Sequence, residues 1–208
     1  MKAVIVILLA LFCIVACNQQ ENTFTDTRNG KTYKTVKIGK QVWMAENLNY
    51  EAERSRCYKD SISYCDKYGR LYDWAAAMEA CPKGWHLPSN DDWDKLYLYA
   101  DGEVPENTYK SETTGKYLKS KEGWNDYKGK SGNGKDAYGF SALPGGCGGS
   151  SGHFYDVGSD GHWWSSSKHG PHYAYYRNMY HDHEGSIWYY VDSYLFSARL
   201  FSVRCVGD

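Results

Sequence analysis

The sequence predicts an α+β fold with two early helices followed by short, irregular antiparallel strands. Two segments before residue 102 carry apolar residues at helical spacing. From Gly115 onward the chain offers only short apolar runs between glycine-rich segments, which predicts strands and turns and no long helix. The chain has 208 residues, enough for one domain with a sizeable core once a leader is removed.

The first predicted element is a hairpin over residues 31–45. Tyr33, Val36 and Ile38 are β-formers, and Gly39-Lys40 supplies the turn. Residues 46–66 are charged and have an irregular pattern. They contain Cys57 and Cys65, which are close enough in sequence to close a local loop.

The two predicted helices cover residues 71–80 and the segment from Ser89 to Asp101. Cys81-Pro82 ends the first, since a residue before proline avoids the α region. Ser89 is the predicted N-cap of the second, and Asp101-Gly102 ends it. The residues at helical spacing are Leu71, Trp74, Ala75 and Met78 in the first helix and Trp93, Leu96, Tyr97 and Ala100 in the second.

The second half of the chain predicts loops and strands. Residues 123–139 form a Gly/Lys/Asn loop, and residues 140–144 are a short buried segment. Residues 145–152 are so rich in glycine that they must turn tightly or approach another backbone closely. The predicted strands are residues 163–166, 173–178, 187–191 and 202–206.

The N-terminus predicts export and a lipid anchor. Residues 3–16 are apolar, too short to span a bilayer but typical of a signal peptide, which we assign to residues 1–16. Ile14-Val15-Ala16-Cys17 resembles the lipobox of bacterial lipoproteins, in which the cysteine thiol accepts diacylglycerol and acyl chains such as palmitate are carried. Residues 17–27 then form a polar tether. A buried N-terminal helix is the weaker alternative, because polar residues 18–22 follow at once.

Composition excludes some partners and favours others. The formal net charge is −1, which gives no basis for binding nucleic acid. The chain has 20 Tyr and 8 Trp, residues favoured where a soluble surface must hold a partner. Five cysteines follow Cys17, so one thiol is left over, and the sequence does not fix their pairing. Their spacing argues against a metal-thiolate site.

Six blocks of the sequence occur together in order. The blocks are TYKTVKIG with WMAENL (32–39, 43–48), YGRLYDWAAAM (68–78), CPKGWHLPS with DW (81–89, 92–93), YGFSALPGG (138–146), WWSS (163–166) and FSVRCV (201–206). They resemble the Fibrobacter succinogenes major paralogous domain, a family typical of lipoproteins, and the resemblance extends from about Phe24 to Asp208.

That resemblance implies a C-type lectin-like fold over residues 28–208, close to the formylglycine-generating-enzyme type. In such folds a cysteine on a helix bridges to one on the last strand, which makes Cys81 and Cys205 the natural pair. We also predict a Cys57–Cys65 disulfide and a free Cys147. A copper site like that of the enzyme relatives needs two cysteines near the C-terminus, and Cys205 stands alone there. No cofactor and no metal is expected.

Two further motifs do not predict a site: the first is a coincidental match, and the second is better explained by structure. Trp124-Asn125-Asp126 matches a calcium signature of sugar-binding lectins, but it lies far upstream of the last cysteine and lacks a partner motif. Ser165, Ser166 and Ser167 lie near His162 and His169 in sequence, yet Ser165 and Ser166 fall in the WWSS block that resembles the family.

The segment 172–200 is the predicted ligand-binding surface. It mixes tyrosine with His, Asp, Asn and Ser, the chemistry of adaptable binding surfaces. The candidate binding residues are Tyr173, Tyr175, Tyr176, Tyr180, His181, His183, Trp188, Tyr189, Tyr190 and Tyr194. An ordinary strand–loop–strand whose aromatics fill the core is the alternative.

The resulting prediction is a non-enzymatic lipoprotein of the cell envelope that binds a glycan or a protein. Its anchor is the lipid on Cys17, and the outer membrane of a Gram-negative bacterium is the expected location. The alternatives are an enzyme related to the formylglycine-generating type and a purely structural envelope protein. The enzyme is disfavoured by the missing second C-terminal cysteine and by the lack of a paired acid and base.

Overall fold

The computed structural model of this chain describes residues 22–101, 110–149, 151–170, 173–192 and 199–208, with residues 110 and 186–192 described by their backbone alone. Cys17, the signal segment 1–16 and Tyr194 lie outside these ranges. Among the residues described, no helix is both long enough and apolar enough to cross a membrane.

Strands dominate the described residues, with few and short helices. In chain order the strands are β1 (Thr23–Thr25), β2 (Thr32–Ile38), β3 (Gln41–Met44), β4 (Ser55–Arg56), β5 (Leu71–Tyr72), β6 (Trp85–His86), β7 (Lys110–Ser111), β8 (Cys147–Gly149), β9 (Phe154–Tyr155), β10 (Asp160–Lys168), β11 (Tyr173–Tyr180), β12 (Ser186–Asp192), β13 (Arg199–Ser202) and β14 (Val206–Gly207). The helices in these residues are α1 (Ile62–Tyr68), α2 (Trp74–Ala80), α3 (Asn90–Asp101) and α4 (Thr114–Leu118).

An antiparallel sheet of order β1-β2-β3-β14-β6 joins both ends of the described chain. The predicted hairpin forms its centre, with Ile38 opposite Gln41 across the Gly39-Lys40 turn. β1 differs from the prediction, because residues 23–25 were assigned to the tether. They pair with β2 because the fully buried Asp26 accepts hydrogen bonds from Arg28 and turns the chain back.

The larger sheet has the order β4-β5-β13-β10-β11-β12-β7, and β8 pairs with both β13 and β9. β10 and β13 run parallel at Trp163 and Ser202, and the other pairings are antiparallel. The predicted strand 202–206 is two strands, β13 and β14, because the chain crosses from one sheet to the other between them.

The helix from residue 90 agrees with its prediction. Ser89 and Asp92 form a reciprocal cap: Asp92 N–H donates to Ser89 Oγ at 3.2 Å, and Ser89 N–H donates to Asp92 Oδ2 at 2.9 Å. The predicted apolar face is buried, with Trp93, Leu96, Tyr97 and Ala100 all at most 4% exposed.

The first predicted helix begins later than expected. Asp73 accepts a hydrogen bond from Ala76 N–H at 2.8 Å and caps α2 at Trp74, which leaves Leu71 and Tyr72 to pair as β5. As a result Ala77 and Ala80 face the core, whereas Met78 is exposed. α1 was not predicted.

Two tryptophan-rich clusters form the core. In one, Trp43, Trp93 and Phe140 pack ring against ring with centroids 5.0–6.1 Å apart. In the other, Trp164 packs on Phe201 with centroids 4.5 Å apart. Both disulfides expected from the sequence form, Cys57–Cys65 and Cys81–Cys205, and Cys147 is free and buried.

A buried polar hub connects the sheets around Asn47 and Arg204. Asn47 Oδ1 accepts hydrogen bonds from Trp163 Nε1 at 2.9 Å and from Arg204 Nη2 at 2.7 Å. Asn47 Nδ2 donates to the Tyr68 carbonyl oxygen at 2.8 Å, and Arg204 also donates to the carbonyl oxygens of Met44, Phe140 and Ser141. Burial lowers the pKa of Arg204 to about 9, which leaves the guanidinium charged at neutral pH.

Candidate functional site

A pocket of about 310 Å³ lies where the loop after β11 meets α4 and the loop before Phe140. We call it the lysine–histidine pocket. Its lining includes three lysines, two carboxylates and two histidines, together with Tyr127, Ser131 and Asn133. The charged and histidine members are Lys116, Lys119, Lys130, Asp182, Glu184, His181 and His183.

Backbone contacts fix the wall made by α4 and the loop after β11. Lys116 N–H donates to the Glu184 carbonyl oxygen at 2.7 Å, and its Nζ lies 2.7 Å from Glu184 Oε2. A Cβ atom at Gly115 would lie 2.4 Å from the carbonyl oxygen of Gly185, so only glycine allows this approach. The loop therefore stays against the helix.

Lys119 forms the floor of the pocket. Its side chain is almost fully buried, and Nζ donates to the carbonyl oxygens of Tyr180 at 2.9 Å and His183 at 3.1 Å. The ammonium group lies 5.0 Å from the ring centroid of Trp124. Burial lowers the pKa of Lys119 to about 8, although the nearby carboxylates oppose this shift. Lys119 is thus a fixed donor that holds the loop in place.

The opposite wall presents an aromatic ring and an amide. Tyr127 is 39% exposed, and its ring meets the His181 ring edge to face with centroids 5.5 Å apart. Asn133 Oδ1 accepts a hydrogen bond from Trp124 N–H at 3.0 Å, which orients its amide group. This wall therefore combines the apolar face of the Tyr127 ring with an amide group that has both a hydrogen-bond donor and an acceptor.

The residues of the predicted binding tract lie in different parts of the structure. His181 and His183 line the pocket, and Tyr180 lies beside them with its ring centroid 5.1 Å from that of His183. Tyr176 instead packs on Phe201 at 4.8 Å, so part of the tract supports the core. Tyr173 and Tyr175 lie at the other end of β11 beside His169, whose Nδ1 is 2.6 Å from Tyr175 Oη.

Three more predicted residues, Trp188, Tyr189 and Tyr190, are on β12, opposite Arg177, Tyr176 and Tyr175. Their side chains, like Tyr194 as a whole, lie outside the described residues. Of the predicted binding residues with described side chains, His181 and His183 line the lysine–histidine pocket.

Trp124 and Asn125 of the motif Trp124-Asn125-Asp126 make structural hydrogen bonds. Trp124 Nε1 donates to the Ala142 carbonyl oxygen at 3.0 Å, and Asn125 Nδ2 donates to Ser159 Oγ at 3.1 Å. These bonds attach the lysine-rich loop to the segment at Ala142 and to the turn before β10.

A second group of reactive side chains was not found from the sequence. Cys147, Asp156 and His162 bring a sulfur, a carboxylate oxygen and a ring nitrogen within 4.8 Å of one another. Burial raises the pKa of the Cys147 thiol to about 11 and lowers the pKa of His162 to about 4. These three residues come from different elements. Their spacing in the sequence matches no known metal-binding motif, so the sequence did not reveal them.

Comparison with known protein families shows which family the chain belongs to. The model of the Fibrobacter succinogenes major domain matches residues 36–207. This chain belongs to that family. No curated protein and no solved structure matched it.

The polar hub explains several sequence blocks of the Fibrobacter succinogenes major domain in this chain. Asn47, Tyr68, Phe140, Trp163 and Arg204 come from five separate blocks and meet through the hydrogen bonds of Asn47 and Arg204. Both pocket histidines, by contrast, lie between blocks, after WWSS and before FSVRCV. In this Fibrobacter succinogenes major domain the blocks therefore form the buried scaffold, and the two pocket histidines lie on a segment between blocks.

Proposed function

We propose that this chain is a non-enzymatic, lipid-anchored binding protein whose lysine–histidine pocket binds a carbohydrate. The observation that carries the proposal is the convergence of two predicted binding residues, His181 and His183, with the half-exposed ring of Tyr127 in one cavity. Concave sites with a few converging polar groups are the usual places for small ligands.

The chemistry of the lining favours a sugar over an apolar ligand. Sugar hydroxyl groups both donate and accept hydrogen bonds, and the pocket offers donors in Lys130 and Asn133 and acceptors in Asp182 and Glu184. The ring of Tyr127 supplies an apolar face for the C–H side of a sugar ring. Three lysines against two carboxylates leave a small positive excess, which suits a neutral or weakly acidic sugar.

An enzyme of the formylglycine-generating type is the less favoured alternative. A cysteine acts as a nucleophile in its thiolate form. The pKa of Cys147 is raised by burial to about 11, so the thiol is protonated at neutral pH.

The C-type lectin-like fold and the envelope location belong to the same proposal. In support of the fold, the Cys81–Cys205 disulfide links the end of α2 to the segment just before β14, and β1 and β14 share one sheet. In support of export, the two disulfides suit an oxidising compartment. The lipobox-like segment ending at Cys17 supports anchoring, with the outer membrane as the proposed site.

A glycan array probed with the chain from residue 17 onward, carrying Cys17→Ser to omit the lipid, tests the function. We expect binding to a defined set of glycans. Tyr127→Ala and Asn133→Ala should each weaken it by about 10-fold or more, because both side chains face the ligand. Tyr99→Ala is the matched control, since Tyr99 is an exposed tyrosine on α3 away from the pocket.

Equal binding by all three variants would place the site elsewhere on the domain. A silent glycan array together with capture of an envelope protein that depends on Tyr127 would make the ligand a protein instead. Retained folding of each variant is checked by thermal unfolding, which should differ little between Tyr127→Ala and Tyr99→Ala.

A further inference from the structure

Three potential metal ligands converge where the glycine-rich segment 145–149 meets the turn after β9 and strand β10. Cys147 begins β8, Asp156 follows β9, and His162 lies in β10. One ligand atom from each lies within 4.8 Å of the other two. None of the three lines the lysine–histidine pocket, so this cluster is separate from the proposed sugar site.

His162 carries unsatisfied polar atoms into this cluster. The residue is only 8% exposed, and neither Nδ1 nor Nε2 has a hydrogen-bond partner among the described residues. The ring is held in place by stacking on Phe201, with centroids 5.0 Å apart. Buried polar groups without a partner are rare in folded proteins and call for an explanation. A bound metal ion would use the lone pair of the imidazole.

Close backbone contacts hold the ligands together. Gly146, at φ +66°, lies so near the turn after β9 that a Cβ atom there would be 2.3 Å from the Tyr155 carbonyl oxygen. Asp156 sits at the tip of this turn with φ +65°, and its carbonyl oxygen accepts from Ser159 N–H at 2.9 Å. The glycine-rich segment therefore serves the close approach that its composition predicted.

We propose that Cys147, Asp156 and His162 bind one zinc ion. Zinc accepts thiolate, imidazole and carboxylate ligands in tetrahedral geometry, whereas sites for copper(I) or iron–sulfur clusters need more than one soft ligand. Tetrahedral ligands around zinc are roughly 3.4–3.8 Å apart. The exposed side chain of Asp156 can close the remaining distance.

The ion would be balanced in charge and would link three strands. Zinc would displace the proton of the Cys147 thiol to solvent, and the resulting thiolate and the Asp156 carboxylate would neutralise Zn²⁺, which reduces the cost of burying it. Asp160 Oδ2, 3.7 Å from His162 Nε2, offers a further oxygen donor. The site would fix β8 and the turn after β9 to β10, in a structural role.

Cobalt(II) and zinc titrations of the metal-free chain test the proposal. The chain from residue 17 onward with Cys17→Ser keeps Cys147 as its single thiol outside the two disulfides. We expect one equivalent of Co²⁺ to bind with a thiolate-to-metal absorption band, and Zn²⁺ to displace it. Zinc should also raise the thermal unfolding temperature.

Asp156→Asn is the decisive variant, because asparagine tolerates a positive φ and the side chain is exposed, so the fold is preserved. It should weaken zinc binding at least ~10-fold, because even the loss of a residue that only hydrogen-bonds to a metal ligand lowers metal affinity by about that factor. Cys147→Ser should remove the absorption band. His153→Gln, an exposed histidine nearby, is the matched control and should bind as the parent chain does.

Absence of an equivalent of bound metal in the parent chain would overturn the proposal. Metal binding that is unchanged in Asp156→Asn, or a cobalt complex without the thiolate band, would also overturn it. If Cys147→Ser does not fold, Asp156→Asn and the band in the parent chain still decide the outcome.

Discussion

Asn47 and Arg204 show how single residues set the packing of this domain. Arg204 is fully buried, and its hydrogen-bond partners among the described residues are Asn47 Oδ1 and three carbonyl oxygens, with no carboxylate. A buried charge is tolerated only when its donors are satisfied. Loss of the Asn47 side chain would therefore remove a hydrogen-bond partner from the Arg204 guanidinium, the Trp163 indole and the Tyr68 carbonyl group.

Asn47→Ala should destabilise the domain by about 3–5 kcal/mol, since it leaves a buried charge and the Trp163 indole N–H less well satisfied. Urea unfolding at neutral pH measures the loss. Asn29→Ala, in an exposed turn, should cost less than about 1 kcal/mol and serves as the control. A similar effect of both substitutions would mean that the hub adds little to stability.

Asp26 gives the domain a defined response to acid. Burial opposes its ionisation, but hydrogen bonds from the Arg28 side chain and backbone outweigh it, and the pKa of Asp26 is lowered. The pKa of Asp26 in the folded state lies below its unfolded value of about 3.9. The ion pair therefore stabilises the folded domain fully at pH values above the unfolded pKa. The stabilisation is lost as the pH falls through the folded pKa.

Asp26→Asn should therefore lower the free energy of unfolding by about 1–2 kcal/mol at pH 7, and the difference from the parent chain should shrink towards pH 2. Urea titrations at several pH values give the comparison. A difference that stays constant with pH would show that packing, and not the charge of Asp26, causes the loss.

At the scale of elements, the two disulfides constrain the chain to different degrees. Cys81–Cys205 spans 124 positions and attaches the end of α2 to the segment before β14, whereas Cys57–Cys65 spans 8 and attaches α1 to the preceding turn. Loop-closure entropy grows with the logarithm of loop length. The long-range bridge should therefore contribute more stability.

Replacing both Cys81 and Cys205 with serine should cost about 5 kcal/mol, against about 2–3 kcal/mol for replacing Cys57 and Cys65, by the chain-entropy relation. Denaturant unfolding of the two double variants under non-reducing conditions gives both values. The reverse order would indicate that the local bridge is needed to form α1 itself.

Local signals in the sequence predicted the elements that rely on local chemistry. The β2–β3 turn and the cap at Ser89 were found because their residues act on near neighbours. α1 was missed because its sequence, ISYCDKY, has little helix propensity, and the disulfide and aromatic stacking of Tyr64 on Tyr68 support it instead. The cluster of Cys147, Asp156 and His162 was missed because only tertiary contacts bring these residues together.

The whole molecule is proposed to be a binding domain held on a membrane by its N-terminus. Cys17 lies five residues before the first described residue, Asn22, and β1 begins directly after it. The proposed tether is thus shorter than the sequence predicted, since residues 23–27 belong to the fold or its first turn. The domain should therefore sit close to the lipid surface.

Cys17→Ser should release the protein from the membrane, because the thiol that accepts the lipid is lost. Detergent phase separation should place the parent protein with the lipids and the variant in the aqueous phase. Mass spectrometry of the parent should show a lipid-modified N-terminal cysteine with residues 1–16 removed. An intact Met1 or an unmodified Cys17 would exclude the anchor.

The sheet that contains both β1 and β14 has a consequence for engineering. Two strands separate β1 from β14, a distance of about 14 Å at the usual strand spacing. A short glycine–serine linker can therefore join Asp208 to Asn22, and new termini can be opened at the exposed turn of Lys128 and Gly129. Such a circular permutant would present the lysine–histidine pocket next to its own chain ends, where a reporter fused to them would sense the proposed ligand directly.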